Sequence, residues 1–459
     1  MNISSSLYRE IQAVIGKDHV TREPEDLACY AYDSITKGCL PDLVVFPADS
    51  SEVSRLMALA FREKIPVVPR GSGSGMTGGS LPVKGGMVMV MTRLNRILEI
   101  DTDNLVARVE PGVITGDFHK AVEDKGLFYP PDPSSSAFST LGGNVAECAG
   151  GPRAVKYGVT RDYVLGLTAV LADGRIIRTG VRTAKGVVGY DLTRLFTGSE
   201  GTLAVITEMT VKLIPKPETV KTMSVMFDSM EKAAETVSRI MRSGIVPRTV
   251  EYLDKGAIAC AQSYAKLDIP EEVKALLIIE TDGREDDARF CMEGLVKICR
   301  EKGALILRTA ENPEEIQRLW AARKAVSPAL YMFGPNKINE DIVVPRSRIP
   351  DMVRKIEELE RETGLTMVSF GHAGDGNIHV NVMYDRKDET QRQKAEQAVE
   401  AIFDYTLGLG GTISGEHGVG TTKAPYLSKE LGPTEIDIMR TIKKALDPDN
   451  ILNPGKMSL

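Results

Sequence analysis

Apolar residues recur at two different periods along the chain, and the period changes with position. Leu7, Ile11 and Ile15 stand four apart, on one helix face, so residues 1–40 read as a helical lead-in. The run Asp42-Leu43-Val44-Val45-Phe46-Pro47 is continuously apolar at its centre and closed by proline, which predicts a short buried strand. Ser50, Ser51 and Glu52 then offer an N-cap, and Val53, Leu56, Met57 and Ala60 follow at helical spacing. Ile65-Pro66-Val67-Val68-Pro69 returns to the strand pattern. This β-α-β opening runs straight into Arg70-Gly71-Ser72-Gly73-Ser74-Gly75-Met76-Thr77-Gly78-Gly79.

Further along, residues 165–171 predict a strand that Asp173-Gly174 turns back into Arg175-Ile176-Ile177-Arg178, a hairpin signal. Another strand is predicted over 204–208. Pro215 and Pro217 mark a domain boundary. Beyond it, strand patterns at 220–227, 275–280 and 304–307 alternate with helical ones at 230–243 and 286–302, an α+β domain. Residues 350–363 form an amphipathic, highly charged helix, and 387–397 a solvated helical face. Ile378, Val380 and Val382 alternate with His379, Asn381 and Met383, so His379 and Asn381 project together from the face opposite the apolar one. The last stretch, 445–456, is a helix end and a Pro/Gly tail with the polar, ordered character of a segment tied against the core.

At 459 residues the chain is too long for one ordinary core, and two or three domains are expected. The formal charge of −6 leaves no basic footprint for nucleic acid. No apolar run reaches the ~20 residues that span a bilayer, and the start lacks a signal peptide's basic end and apolar core. The expected location is therefore cytoplasmic, with any membrane association through a partner. Six scattered cysteines without CxxC spacing predict reduced, mostly buried thiols and no iron–sulfur ligation by this chain.

Glycines in the 71–79 loop tolerate positive φ and leave no Cβ in the way, so backbone N–H groups there can approach an anion closely. The spacing is neither GxxxxGK[ST] nor GxGxxG. A flexible linker is the plainer alternative, but strands flank the loop on both sides. A second cluster runs from Tyr129-Pro130-Pro131-Asp132-Pro133 to Gly142-Gly143-Asn144, and a third lies at Phe196-Thr197-Gly198-Ser199-Glu200-Gly201. Several such loops within one domain fit a large, extended dinucleotide better than a single phosphate.

Only five histidines occur, and three fall in Gly371-His372-Ala373-Gly374-Asp375-Gly376-Asn377-Ile378-His379 and Gly415-Glu416-His417-Gly418. The glycines place His372 on a loop feeding the His379 strand. Two imidazoles and a carboxylate with an open position suit a catalytic divalent ion. The plainer alternative is a set of structural histidines and a solvated turn. Arg323, Lys324 and Lys337 add cations, each of which alone reads as surface charge.

Read together, residues 69–79 (PRGSGSGMTGG), 132–144 (DPSSSAFSTLGGN), 372–381 (HAGDGNIHVN) and Glu416-His417 with 449–456 (DNILNPGK) resemble a known family. It is the FAD-linked 2-hydroxy-acid dehydrogenases of the vanillyl-alcohol-oxidase (PCMH-type FAD) group, which holds D-lactate dehydrogenases, glycolate oxidase flavoprotein subunits and D-2-hydroxyglutarate dehydrogenase. The resemblance implies an α+β fold: an FAD domain of two α+β subdomains over 1–217, an α+β cap with an antiparallel sheet over 218–410, and a segment 411–459 returning to the FAD domain. It places FAD along Pro69, Arg70, Gly71, Ser72, Gly73, Ser74, Gly75, Thr77, Gly78 and Gly79, with Pro133, Ser136, Gly142, Gly143, Ile206 and Asn453 around the rest. The loop has no histidine, so FAD is expected to be non-covalent.

By the same resemblance His372, His379 and Glu416 match metal ligands, with Zn, Fe and Mn all acceptable. His417 matches the catalytic base, and Arg323, Lys337 and Asn381 match residues that hold the substrate carboxylate. The implied activity is oxidation of a D-2-hydroxy acid, D-lactate favoured, with glycolate or D-2-hydroxyglutarate as the alternatives. Electrons would pass to a separate acceptor such as an electron-transferring flavoprotein, an iron–sulfur subunit or a quinone. The rivals are a non-redox flavoenzyme of the alkyl-glycerone-phosphate synthase kind, a metallohydrolase, and a binding subunit of a redox complex.

Overall fold

The computed structural model describes residues 3–34, 38–264 and 269–459, so residues 1, 2 and 35–37 of the expected lead-in lie outside it. The chain forms two compact units. One comprises residues 1–150, 159–216 and 416–459; the other comprises 151–158 and 217–415.

In the first unit the helix Ser5–Ile15 buries Ile11 and Ile15 against Leu56 and Met57 of the helix Ser50–Glu63. Asp49, rather than the serines after it, caps the second helix: its backbone is extended, and its carboxylate accepts N–H bonds from Ser51 and Glu52, both at 2.8 Å. The strands Leu43–Val45 and Val67–Arg70 both run parallel to Met87–Val90, which lies between them. A second sheet is antiparallel, in the order Ile97–Asp101, Val106–Val109, Val205–Lys212, Val164–Val170 and Ile176–Gly180. The hairpin expected at Asp173-Gly174 is its last pair, with Val170 opposite Ile176.

The tail is stitched to the strand that precedes the glycine loop. Val67 donates its N–H to Ile451 at 2.7 Å, and Asn453 donates to the Val67 carbonyl at 2.8 Å. Beneath it Lys443, 5% exposed, donates to the carbonyls of Thr202 and Leu452 and to the Asp447 carboxylate at 2.5 Å. Asp447 in turn accepts from the N–H groups of Ile451 and Leu452.

The second unit is built on seven antiparallel strands, ordered Ile306–Thr309, Thr219–Phe227, Ala275–Gly283, Thr249–Asp254, Met367–His372, Asn377–Tyr384 and Asn336–Val343. Glu251 stands opposite His372, Phe370 opposite His379, His379 opposite Asp341, and Asn381 opposite Asn339. Directly paired residues share a face, so these side chains and Lys337 line one side of the sheet. That side also carries Leu253, Val368, Phe370 and Met383. They pack with Ala257, Ile258 and Ala261 of the helix Lys255–Tyr264 and with Ala322 and Val326 of the helix Pro313–Ala329.

The strand expected over 304–307 lies instead at Ile306–Thr309, because Gly303 and Ala304 close the preceding helix with bonds to Arg300 and Cys299. The solvated face at 387–397 is the first half of a longer helix, Glu389–Gly408. Residues 151–158 group with the second unit, where Tyr157 donates to Asp282 at 2.7 Å. Residues 411–415 also stay there, since Thr412 pairs with Val343 and the Gly415 N–H meets Asp341 at 2.8 Å. None of the six cysteines is in a disulfide: Cys148, Cys260 and Cys299 are buried, Cys291 is half-buried, and Cys29 and Cys39 are exposed. Among the described residues no helix is long and apolar enough to cross a membrane.

Truncating Asp447 to alanine leaves the buried Lys443 ammonium with carbonyl partners only. Urea unfolding should show a loss of about 3–5 kcal/mol. An unchanged midpoint would mean that the tail is held without this pair.

Candidate active site

In the first unit the strand Val67–Arg70 opens into the glycine loop, which forms one wall of a cleft. Pro69, Gly71, Ser72, Gly73, Ser74, Gly75 and Gly79 line it, facing Pro133, Ser134, Thr140, Gly143 and Asn144, with Glu147, Glu200, Glu416 and His417 completing the lining. The glycines are needed for different reasons. Gly75 has open space where a side chain would go, so any Cβ there would project into the cleft. At Gly142 a Cβ would lie 2.4 Å from Cβ of Pro111 and 3.0 Å from its carbonyl oxygen, so only glycine lets this turn of helix approach so closely. A long cleft walled by glycine backbone and hydroxyls fits an extended diphosphate cofactor.

Several other residues tied to FAD by the sequence stand behind this lining. Arg70, 5% exposed, borders an adjoining hollow with Tyr30 and Phe138 and donates to Ser80. The Thr77 carbonyl accepts from Thr421 and Thr422, and the Gly78 N–H donates to Asp33 at 2.7 Å. The Ser136 carbonyl accepts from Gly116, and Ile206 pairs with Ala169 in the sheet. Asn453 donates to the carbonyls of Gly79 at 2.8 Å and Glu200 at 2.7 Å, so it ties the loop to its neighbour.

Glu416 and His417 sit on a turn fixed from below. The Thr77 hydroxyl donates to the His417 carbonyl at 3.1 Å, and the Glu200 carboxylate accepts from the N–H groups of Val419 and Gly420, both at 2.7 Å. Gly418 is left-handed at φ +80°, and a Cβ there would lie 2.2 Å from Oε2 of Glu147. Burial, reinforced by the carboxylates of Glu200 and Asp33, pushes Glu147 well above the ordinary carboxyl range. Burial also raises Glu200, against the two N–H donors and the lysines Lys456 and Lys423. It lowers Lys456 to about 8. One oxygen of Glu147, Oε2, is buried and without a hydrogen-bond partner, which disfavours the charged form in the same direction.

In the second unit His372 closes a strand, Met367–His372, instead of lying on the loop that feeds one. The hairpin after it turns tightly because Gly376, at φ +93°, passes where a Cβ would meet the Val344 carbonyl oxygen at 2.1 Å. The rings of His372 and His379 are edge-to-face with centroids 5.2 Å apart, and each offers a ligand nitrogen within 4.8 Å of the other's. His372 Nδ1 meets Glu251 Oε1 at 2.5 Å, which leaves Nε2 as the lone-pair nitrogen of that ring. Two imidazoles at this separation fit a divalent ion.

One helix, Pro313–Ala329, brings Trp320, Arg323 and Ser327 to this face through their spacing of three and four. Trp320 donates to Glu280 at 2.7 Å, Arg323 to Glu251 at 2.7 and 2.9 Å, and the Ser327 hydroxyl accepts from Lys337 at 2.8 Å. The Arg323 guanidinium also lies over the Phe370 ring, 4.6 Å from its centroid. Asn381 accepts from Asn339 at 2.7 Å. Burial raises Glu251, but the hydrogen bond with His372 and the Arg323 guanidinium outweigh it and hold the carboxyl below its ordinary value. Burial brings Lys337 down to about 8. Asp341, fully buried, accepts from Asn377 at 2.6 Å and lies 3.8 Å from His379.

Sequence reasoning did not single out Glu147, Glu200, Glu251 or Asp341. Glu200 stood in a glycine cluster quoted for its glycines. Glu251 carried a signal in standing charged between the apolar Val250 and Tyr252 of its strand; Asp341, after Asn339 and Glu340, carried none.

A model described as "FAD binding domain" matches residues 41–180, and one described as "FAD linked oxidases, C-terminal domain" matches 216–457. Glycolate oxidase subunit GlcD of Bacillus subtilis is 46% identical over 456 residues, covering 99% of this chain and 97% of that one. A D-lactate dehydrogenase of Anaerostipes hadrus is 36% identical over 425 residues, 91% of this chain and 89% of its own. Among solved structures, p-cresol methylhydroxylase with substrate bound aligns at a TM-score of 0.83 and 20% identity, covering 100% of this chain and 98% of that one. An alkyldihydroxyacetonephosphate synthase aligns at 0.77 and 20%, covering 99% and 86%. At such identities these two show a shared fold, the PCMH-type FAD-binding fold.

Replacing Gly142 with alanine should press helix and Pro111 apart and lower bound flavin several-fold. The flavin released per mole of denatured protein measures this, and full occupancy in the variant would remove Gly142 from the argument.

Proposed function

The chain belongs to the family of FAD-linked oxidases, an oxidoreductase of the glycolate oxidase and D-lactate dehydrogenase type, and from that premise we propose that it oxidises a small 2-hydroxy acid with the help of a divalent ion. The observation that carries the reading is the second unit's polar sheet face, where two ligand-spaced histidines stand beside buried cations suited to a carboxylate. His372 and His379 with Glu416 are the proposed metal ligands, and FAD is proposed to lie non-covalently along the glycine cleft. Held there, FAD would supply the acceptor for the hydride at C2, and a divalent ion would supply the charge that lowers the pKa of the substrate hydroxyl.

The chain's own residues do the rest. Arg323, Lys337 and Asn381 hold the carboxylate and so fix which hydrogen at C2 is presented. The His417 imidazole takes the hydroxyl proton, and its turn is kept in place by Thr77 and Glu200 so that the base does not wander. A substrate with only a hydroxyl and a carboxylate uses every one of these groups. D-lactate is the proposed substrate. Glycolate stands beside it because the relative at 46% identity is named for glycolate. That relative is also named a subunit, which supports a separate electron acceptor, an electron-transferring flavoprotein or an iron–sulfur protein.

The deciding experiment is a panel of D-lactate, L-lactate, glycolate and D-2-hydroxyglutarate with an artificial acceptor, before and after chelation. D-lactate oxidation should be lost on chelation and restored by a divalent metal. Equal rates with the two lactates would end the stereochemical part, and chelator-insensitive turnover would end the metal part.

Lys337 gives a pH signature. Its pKa is about 8, below the ordinary lysine value because of burial, so the ammonium is present below that pH and lost above it. KM for the hydroxy acid should hold steady up to about pH 8 and rise beyond it. In Lys337→Met it should be raised at every pH with the break gone; a break that survives this substitution belongs to another group.

A further inference from the structure

Glu251 lies deep in the sheet, 1% exposed, and its two oxygens are committed to different partners. Oε1 meets His372 Nδ1 at 2.5 Å, across a strand pair whose register puts the two residues directly opposite. Oε2 accepts both Nε and Nη2 of Arg323, at 2.9 and 2.7 Å. A carboxylate accepting from Nδ1 selects the tautomer in which Nε2 carries the lone pair, and it holds the ring plane. The same carboxylate occupies one edge of the Arg323 fork while Phe370 covers a face, which leaves Nη1 as the outer donor.

We propose that Glu251 is a positioning residue shared by the two halves of the proposed chemistry: it sets His372 for the metal ion and Arg323 for the substrate carboxylate. This rests on the function proposed above and adds a residue that touches neither ligand. It makes metal affinity and substrate affinity properties of one side chain. An ordinary buried ion pair between Glu251 and Arg323 would leave metal affinity alone, and that difference is what can be measured.

The test uses Zn²⁺ as probe, with affinity read by competition against a chromophoric chelator on the flavin-loaded protein and kcat and KM read separately. Glu251→Gln keeps the shape and removes the charge; Zn²⁺ affinity should fall about 10- to 100-fold, and KM should rise. Arg323→Lys should raise KM while leaving Zn²⁺ affinity as in the parent, which separates the two arms. Thermal unfolding monitors both variants. If the glutamine protein does not fold, Glu251→Asp, whose carboxylate is drawn back by one methylene, is read on the same two axes with the same direction expected. A folded Glu251 variant that binds Zn²⁺ as tightly as the parent overturns the proposal while the functional reading stands. A parent protein with no Zn²⁺ affinity overturns both.

Discussion

A carboxylate removed from water must be surrounded by donors or it gives up its charge, and both units are arranged around that demand. Glu251, Glu280 and Asp341 in one unit, and Glu200 and Asp447 in the other, are each no more than 5% exposed. Their partners are the groups that matter. Glu280 and Glu251 set the helix Pro313–Ala329 through Trp320 and Arg323. Glu200 fixes the turn that presents Glu416 and His417, and Asp447 gathers Lys443 and the tail. Where donors run short, as at Glu147, burial raises the carboxyl well above its ordinary range instead.

Much of this was legible in the sequence where a local rule suffices. The helix Ser5–Ile15, the hairpin at Asp173-Gly174 and the strand carrying His379 each follow from a period or a turn dipeptide. The glycine loop could be read as a cofactor wall because glycines there have no packing role that another residue would fill better. What stayed hidden was long-range. Met367–His372 is a strand because Thr249–Asp254 pairs with it, Glu251 opposite His372, a partner too far away in sequence for a window to weigh. The cap at Asp49 was missed in favour of the serines one and two residues later, since all three residue types can cap and only the backbone at 49 is extended.

The comparisons divide in the same way. Chains that share about a fifth of their residues with this one keep its fold and carry names from different chemistries. Fold and function therefore rest on different residues: a shared fold does not carry a reaction with it, and the proposed reaction is argued from the histidine-bearing sheet face and its buried cations.

The stitching of Ile451–Asn453 to Val67 has a consequence for the order in which the chain can mature. One unit is nearly continuous, residues 217–415 with a short earlier piece, while the other needs residues from both ends of the polypeptide. During synthesis the strand before the glycine loop leaves the ribosome early and waits for its partner until residues 451–453 have followed. The loop is braced only once those residues are in place, so a product cut short before them would carry a glycine loop without its stitch. Reading through residue 453 is thereby a condition for a braced loop.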